Sequence, residues 1–130
     1  MSTKRVSVQV PSVASYLSLL RTVVGGCAGR EGFTLDQIED VKMAVDEAAA
    51  QLLSQLGDTA DAQITLSINA EDDAVDLEIS APAAGNGPVI DPSSFSWTIL
   101  QALSDELDAS RDGTVAKVTM RKFRTDQDAA

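Results

Sequence analysis

The spacing of apolar residues predicts an α/β fold. The expected architecture is a two-layer sandwich, with a mixed, mainly antiparallel sheet carrying its helices on one face. Three observations point there. Short segments alternate apolar and polar residues at period two, as half-buried strands do. Longer segments repeat apolar residues every three or four positions, as helices with one buried side do. Neighbouring strand segments are joined by short turns, which makes hairpins and hence antiparallel pairs.

Val6-Ser7-Val8-Gln9-Val10 alternates and reads as the first strand, ended by Pro11-Ser12, with Ser12 placed to cap the next helix. Residues 13 to 30 read as a helix whose buried side is Val13, Tyr16, Leu17, Leu20, Val23 and Val24; Gly25-Gly26 loosens its end and Arg30-Glu31-Gly32 stops it. Thr34-Leu35-Asp36-Gln37 has the capping-box form, with Phe33 and Ile38 placed as a hydrophobic staple. The helix it opens carries Ile38, Val41, Val45, Ala48, Leu52 and Leu56 on one side and ends at Gly57-Asp58.

Ile64, Leu66 and Ile68 alternate, as do Val75, Leu77 and Ile79, and Glu71-Asp72-Asp73 joins the two strands as a solvated turn. Residues 81 to 88 are a loop by composition, rich in Ala, Gly and Pro. Ser93 or Ser94 opens a third helix, with Phe95, Ile99, Leu100, Leu103 and Leu107 as its buried side. Asp112-Gly113 turns into a last strand marked by Ala116, Val118 and Met120, and 125–130 reads as a frayed tail. The expected order is strand, helix, helix, strand, strand, helix, strand.

The totals bound the chemistry. A chain of 130 residues, 44% of them hydrophobic, matches one globular domain spanning 1–130. No histidine is present, which excludes a Ser-His-Asp triad, a phosphohistidine relay and a His-ligated metal; with Cys27 the only cysteine, a thiolate zinc site and an internal disulfide are excluded too. No metal ligand set is expected. A lone thiol fits a reducing compartment. No apolar run approaches the about 20 residues that span a bilayer, and Met1 to Val10 has no signal-peptide core, so the cytoplasm is the expected location, with no membrane contact. The net charge of −10 would repel nucleic acid, whose binders cluster Lys and Arg. The acidity serves solubility, or an acidic face meets a basic partner.

Asp36-Gln-Ile-Glu-Asp-Val-Lys-Met-Ala-Val-Asp-Glu-Ala48 resembles the signature helix of RsbW-type anti-sigma factors, members of the GHKL superfamily of ATP-binding domains. Asp91-Pro-Ser-Ser-Phe-Ser-Trp-Thr-Ile-Leu-Gln-Ala-Leu is similar to mycobacterial members, in which Ser-Phe-Ser-Trp replaces a glycine-rich turn. Leu19-Leu20-Arg21-Thr22-Val23-Val24 is a third match. The resemblance spans nearly the whole chain. It implies that Glu47 stands where the family's general base phosphorylates a serine of a STAS-type anti-anti-sigma protein. Gln51 stands where an Asn ligates the Mg²⁺ of ATP, and Arg21 where an Arg contacts both the sigma factor and the anti-anti-sigma protein. It also implies a homodimer.

The departures from that pattern concern the nucleotide. The stretch Ser80-Ala-Pro-Ala-Ala-Gly85 lacks the adenine-binding Asp, Gln51 replaces the Asn, and Phe95-Ser96-Trp97 replaces the phosphate-wrapping glycines; only glycine lets backbone approach a phosphate closely. ATP and magnesium are therefore expected to bind weakly or not at all. Two readings compete: a stoichiometric anti-sigma factor released by a STAS partner, or an ATP-dependent serine protein kinase acting on that partner. A dimerisation domain of another GHKL protein is a blander third. On helix geometry alone Glu47 and Gln51 are also readable as the wet edge of a helix, and Arg21 as a surface arginine. Trp97 and Cys27 read as packing residues.

Overall fold

The structure is a computed structural model that describes residues 4–56, 62–83, 85 and 87–125. Its elements are β1 (Lys4–Pro11), a 3₁₀ turn (Ala14–Tyr16), α1 (Leu17–Arg30), α2 (Leu35–Gln55), β2 (Gln63–Ala70), β3 (Ala74–Pro82), α3 (Phe95–Leu103), β4 (Glu106–Asp112) and β5 (Val115–Phe123). The strands form one sheet in the order β1-β2-β3-β5-β4. Every neighbouring pair is antiparallel, so the sheet is not mixed as expected; each connection is a hairpin or returns across the helix layer.

The two layers meet through the alternating residues. Ile64, Leu66 and Ile68 of β2, Val75, Leu77 and Ile79 of β3, and Ala116, Val118 and Met120 of β5 are buried. They pack with Leu20 and Val24 of α1, Val41, Val45, Ala48 and Leu52 of α2, and Leu100 of α3. Fully burying a side chain of this kind contributes about 1.5–3 kcal/mol. The other face of the sheet is polar, with Asp76, Glu78, Lys117 and Arg121 on it.

The α2 start is the clearest local success. Thr34 Oγ1 accepts from Gln37 N at 3.1 Å, and Thr34 N donates to Gln37 Oε1 at 3.1 Å, completing the capping box. Gln37 also donates through Nε2 to the Phe123 carbonyl at 2.9 Å and to Thr125 Oγ1 at 3.0 Å. Thr125, expected in a frayed tail, is thus tied to the helix start; 126–130 and the predicted α2 stop at Gly57-Asp58 lie outside the described residues.

Several expectations need correcting. Val13 and Tyr16 are exposed, because the chain enters through a 3₁₀ turn and α1 begins only at Leu17. Ser12 caps nothing: the N-cap positions are Val13 and Tyr16, neither with a side-chain bond. Gly25-Gly26 does not loosen the helix, which continues to Arg30; a Cβ on Gly25 would come 3.1 Å from Lys42 Cδ, so the glycine admits the lysine stem of α2. The stop is at Gly32, whose φ of +82° suits glycine.

The largest miss is β4. Leu107 fits the spacing of α3, but α3 ends at Leu103 and Leu107 sits in a strand paired with β5, facing Met120. Phe95, also expected on the buried side of α3, is 79% exposed. Ser94, not Ser93, is the α3 cap, accepting from Trp97 N. Ala81 and Pro82 belong to β3 rather than to the loop.

Candidate functional site

The chemistry-bearing side chains gather where α3 starts against the outer side of α2. Glu47 and Gln51 lie four residues apart, so both project from the same side of α2. Ser94 caps α3 and fixes its first turn, which presents Ser96 to that side. Ser96 Oγ donates to Glu47 Oε2 at 2.7 Å and accepts from Gln51 Nε2 at 2.7 Å; Gln51 Nε2 also lies 3.4 Å from Glu47 Oε2. The three polar groups close a small ring. The carboxylate acts as acceptor, the amide as donor, and the hydroxyl as both, so each role matches its inventory.

Arg21 is not part of that ring. It reaches from α1 across to α2 and pairs with Asp46, Nη1 to Oδ2 at 3.0 Å, with the two side chains 46% and 37% exposed. Asp46 precedes Glu47, so the ion pair and the ring flank each other along α2. A pair this exposed is worth about 0.2–1 kcal/mol, which leaves Arg21 available to a competing carboxylate. Met43 and Phe95, 54% and 79% exposed, are large apolar residues beside this region. Met43 stands one turn before Glu47, and Phe95 adjoins Ser96.

A second polar set fixes the segment before α3. Arg111 of β4 donates from Nη1 to the Ala83 carbonyl at 2.7 Å, from Nε to the Gly87 carbonyl at 2.9 Å, and from Nη2 to Gln55 Oε1 at 3.2 Å. Gln55 Nε2 in turn donates to the Val89 carbonyl. Gln55 is one turn past Gln51 on α2. Through it the segment before α3 is bound to α2. Val89 and Ile90 are buried there.

Asp91 accepts from Ser93 N at 2.9 Å and from Ser93 Oγ at 2.8 Å; these bonds hold its carboxyl below the usual carboxylate range. It is committed to the turn. Cys27 is half-buried on α1, and burial pushes its thiol up. Trp97 packs against the core as expected of a packing residue. Among the described residues no three acidic or thiol side chains converge on a metal position. A concavity of about 480 Å³ lies on the polar face of the sheet around the Asp76–Arg121 pair. It is away from the ring.

Sequence reasoning named Glu47, Gln51 and Arg21 but missed Ser96, Asp46, Arg111 and Gln55. A serine two residues after the α3 cap was the signal for Ser96, but only the packing of α3 on α2 gives it partners. Arg111 carried no local signal, because its three acceptors are up to 56 positions away.

No family model matches the chain. Over 110 residues, 85% of its length, it is 34% identical to an anti-sigma-F factor RsbW of Mycobacterium tuberculosis, covering 64% of that protein. It is 30% identical over 92 residues to a serine-protein kinase RsbW of Bacillus cereus, covering 55% of it. The chain thus spans less than two thirds of these curated relatives. The fold matches the crystal structure of the RsbU and RsbW domains of Rv1364c from Mycobacterium tuberculosis with a TM-score of 0.74 and 13% identity, over 95% of this chain and 33% of that one. No helix among the described residues is long and apolar enough to cross a membrane. Sequence likeness over most of the chain, carried on a shared α/β architecture, makes this protein a homologue of the RsbW-type proteins.

Proposed function

We propose that this chain is a stoichiometric anti-sigma factor: it sequesters a sigma factor in the cytoplasm by surface contact, and a STAS-type anti-anti-sigma protein releases it. The observation that carries the reading is the closed ring of Glu47, Gln51 and Ser96. Phosphoryl transfer consists largely of placing phosphates and neutralising them with Mg²⁺. Here the two groups at the family's base and Mg²⁺-ligand positions are both spent on a serine of the same chain. Arg111 and Gln55 hold the neighbouring segment down, and no acid stands at the adenine position. These residues do not fit ATP–Mg²⁺. The name of the Mycobacterium tuberculosis relative supports the same reading.

Arg21 is the proposed partner contact, exchanging Asp46 for a carboxylate of the sigma factor. Arg suits this role because its planar fork pairs bidentately with carboxylates. The chain is proposed to work as a homodimer through the β1 edge, where Val6 is exposed.

The name of the Bacillus cereus relative favours the second reading, a serine protein kinase. Calorimetric titration of ATP–Mg²⁺ together with labelled-phosphate transfer to a STAS partner separates the two. Our reading expects no binding heat, no label on the partner, and sigma-factor binding unaffected by nucleotide or by Glu47→Ala. Label on the partner serine that Glu47→Ala abolishes overturns it. Arg21→Glu should weaken sigma-factor binding by about 2–5 kcal/mol with the fold intact. Unchanged affinity would return Arg21 to the surface.

A further inference from the structure

The sheet ends in β4, whose only strand neighbour among the described residues is β5, so alternate backbone N–H and C=O groups of Glu106–Asp112 point outward. Along that edge runs a groove of about 450 Å³, lined by Pro88, Val89, Ile90 and Trp97 together with residues 108–111 of β4. We propose that this edge takes an extended, lysine- or arginine-bearing segment of a partner polypeptide as a sixth strand. This goes beyond the anti-sigma reading and does not depend on Arg21.

Charge decides the occupant. Glu106, Asp108 and Asp112 share the polar side of β4, and among the described residues none of them makes an ion pair. The cation nearest in the groove, Arg111, has Nε, Nη1 and Nη2 engaged with Gly87, Ala83 and Gln55, so its charge is turned inward. Side chains of an added strand would alternate between the two sides of the sheet, cationic ones meeting Asp108 on the polar side and apolar ones meeting Trp97 on the other.

A second copy of the chain is the wrong occupant. Antiparallel self-pairing of β4 about Ala109 would set Glu106 opposite Asp112 twice, and like charges directly opposite destabilise a pair. The β1 edge carries no such conflict: self-pairing about Ser7 sets Arg5 opposite Gln9 and Val6 opposite Val8. The two edges are therefore distinct, one compatible with a copy and one with a basic strand. In strand addition the backbone bonds supply affinity and the alternate side chains supply specificity.

Trp97 is the only tryptophan, so its emission reports the groove directly. The probes are a seven-residue peptide alternating valine and lysine, and the same peptide with glutamate in place of lysine. The lysine peptide should change Trp97 emission saturably and slow amide exchange in 106–112, and the glutamate peptide should do neither. Asp108→Lys should weaken the lysine peptide by about tenfold, turning attraction into repulsion. Asp36→Lys, which changes the net charge equally on an exposed helix start, should not. Equal response to both peptides, no response, equal loss with Asp36→Lys, or protection appearing in β1 instead of β4 each overturns the proposal. Asp108 is exposed, and a normal melting curve for Asp108→Lys confirms that its loss of binding is not unfolding.

Discussion

The ring of Glu47, Gln51 and Ser96 predicts an energetic coupling that a solvated helix edge would lack. Ser96→Ala removes the 2.7 Å bond to Glu47 and the 2.7 Å bond from Gln51. Bonds to a charged acceptor contribute about 1.5–3 kcal/mol when buried, and less where water can replace the hydroxyl. All three groups are only partly buried, so the expected loss is about 1–2 kcal/mol, or about 4–7 °C in Tm for a chain of this size. Glu47→Ala should cost less, because alanine favours the helix and partly offsets the lost bond. Once Ser96 is gone, Glu47 has little left to lose. The double variant should therefore be less destabilised than the sum of the singles by about 1 kcal/mol. Urea unfolding of the four proteins at one protein concentration measures this, since oligomerisation would otherwise shift the midpoints. Additivity within about 0.3 kcal/mol would refute the ring and, with it, the claim that these groups are committed to each other.

Three further outcomes are expected. Gln37→Ala should destabilise by about 2–3 kcal/mol, because it opens the capping box and strips the Phe123 carbonyl and Thr125 of their donor; chemical denaturation checks it. Cys27 should alkylate more slowly than a free cysteine near neutral pH, with the rate rising only above the ordinary thiol pKa. Burial raises its folded-state value, so its stabilising effect is present below the unfolded pKa and lost as pH rises through the folded one. Asp91 should titrate below a free aspartate, and Ser93→Ala should raise it only part of the way, because the Ser93 backbone N–H, the larger cause, stays. Its folded value is depressed, so its contribution is present above the unfolded pKa and lost as pH falls through the folded one; carboxyl NMR in both proteins reads this directly.

The sequence by itself determined whatever depends on near neighbours in the chain. The capping box at Thr34 and Gln37 is a three-residue relation, so it was legible and correct. The period-two runs in β2, β3 and β5 were legible because each strand has one buried and one open face, which imposes alternation. The placement of Glu47 and Gln51 on one side of α2 needed only the helical repeat. The matches that carried the resemblance were likewise contiguous.

Tertiary structure decided the rest. β4 escaped notice because an edge strand flanked by charges needs few apolar residues: beside Arg111 only Leu107 and Ala109 turn inward, and Leu107 continues the spacing of α3 closely enough to be read as its last turn. Tyr16 and Phe95 fitted helical spacing, yet neither meets a neighbouring element that would cover it. The site itself was decided least by sequence. Ser96 meets Glu47 across 49 positions, Arg111 meets Gln55 across 56, and Arg21 meets Asp46 across 25. Those partners are brought together by how α3 and the end of the sheet pack against α2. A local pattern encodes the face on which a side chain lies, but which distant group meets it there is set by the packing of whole elements.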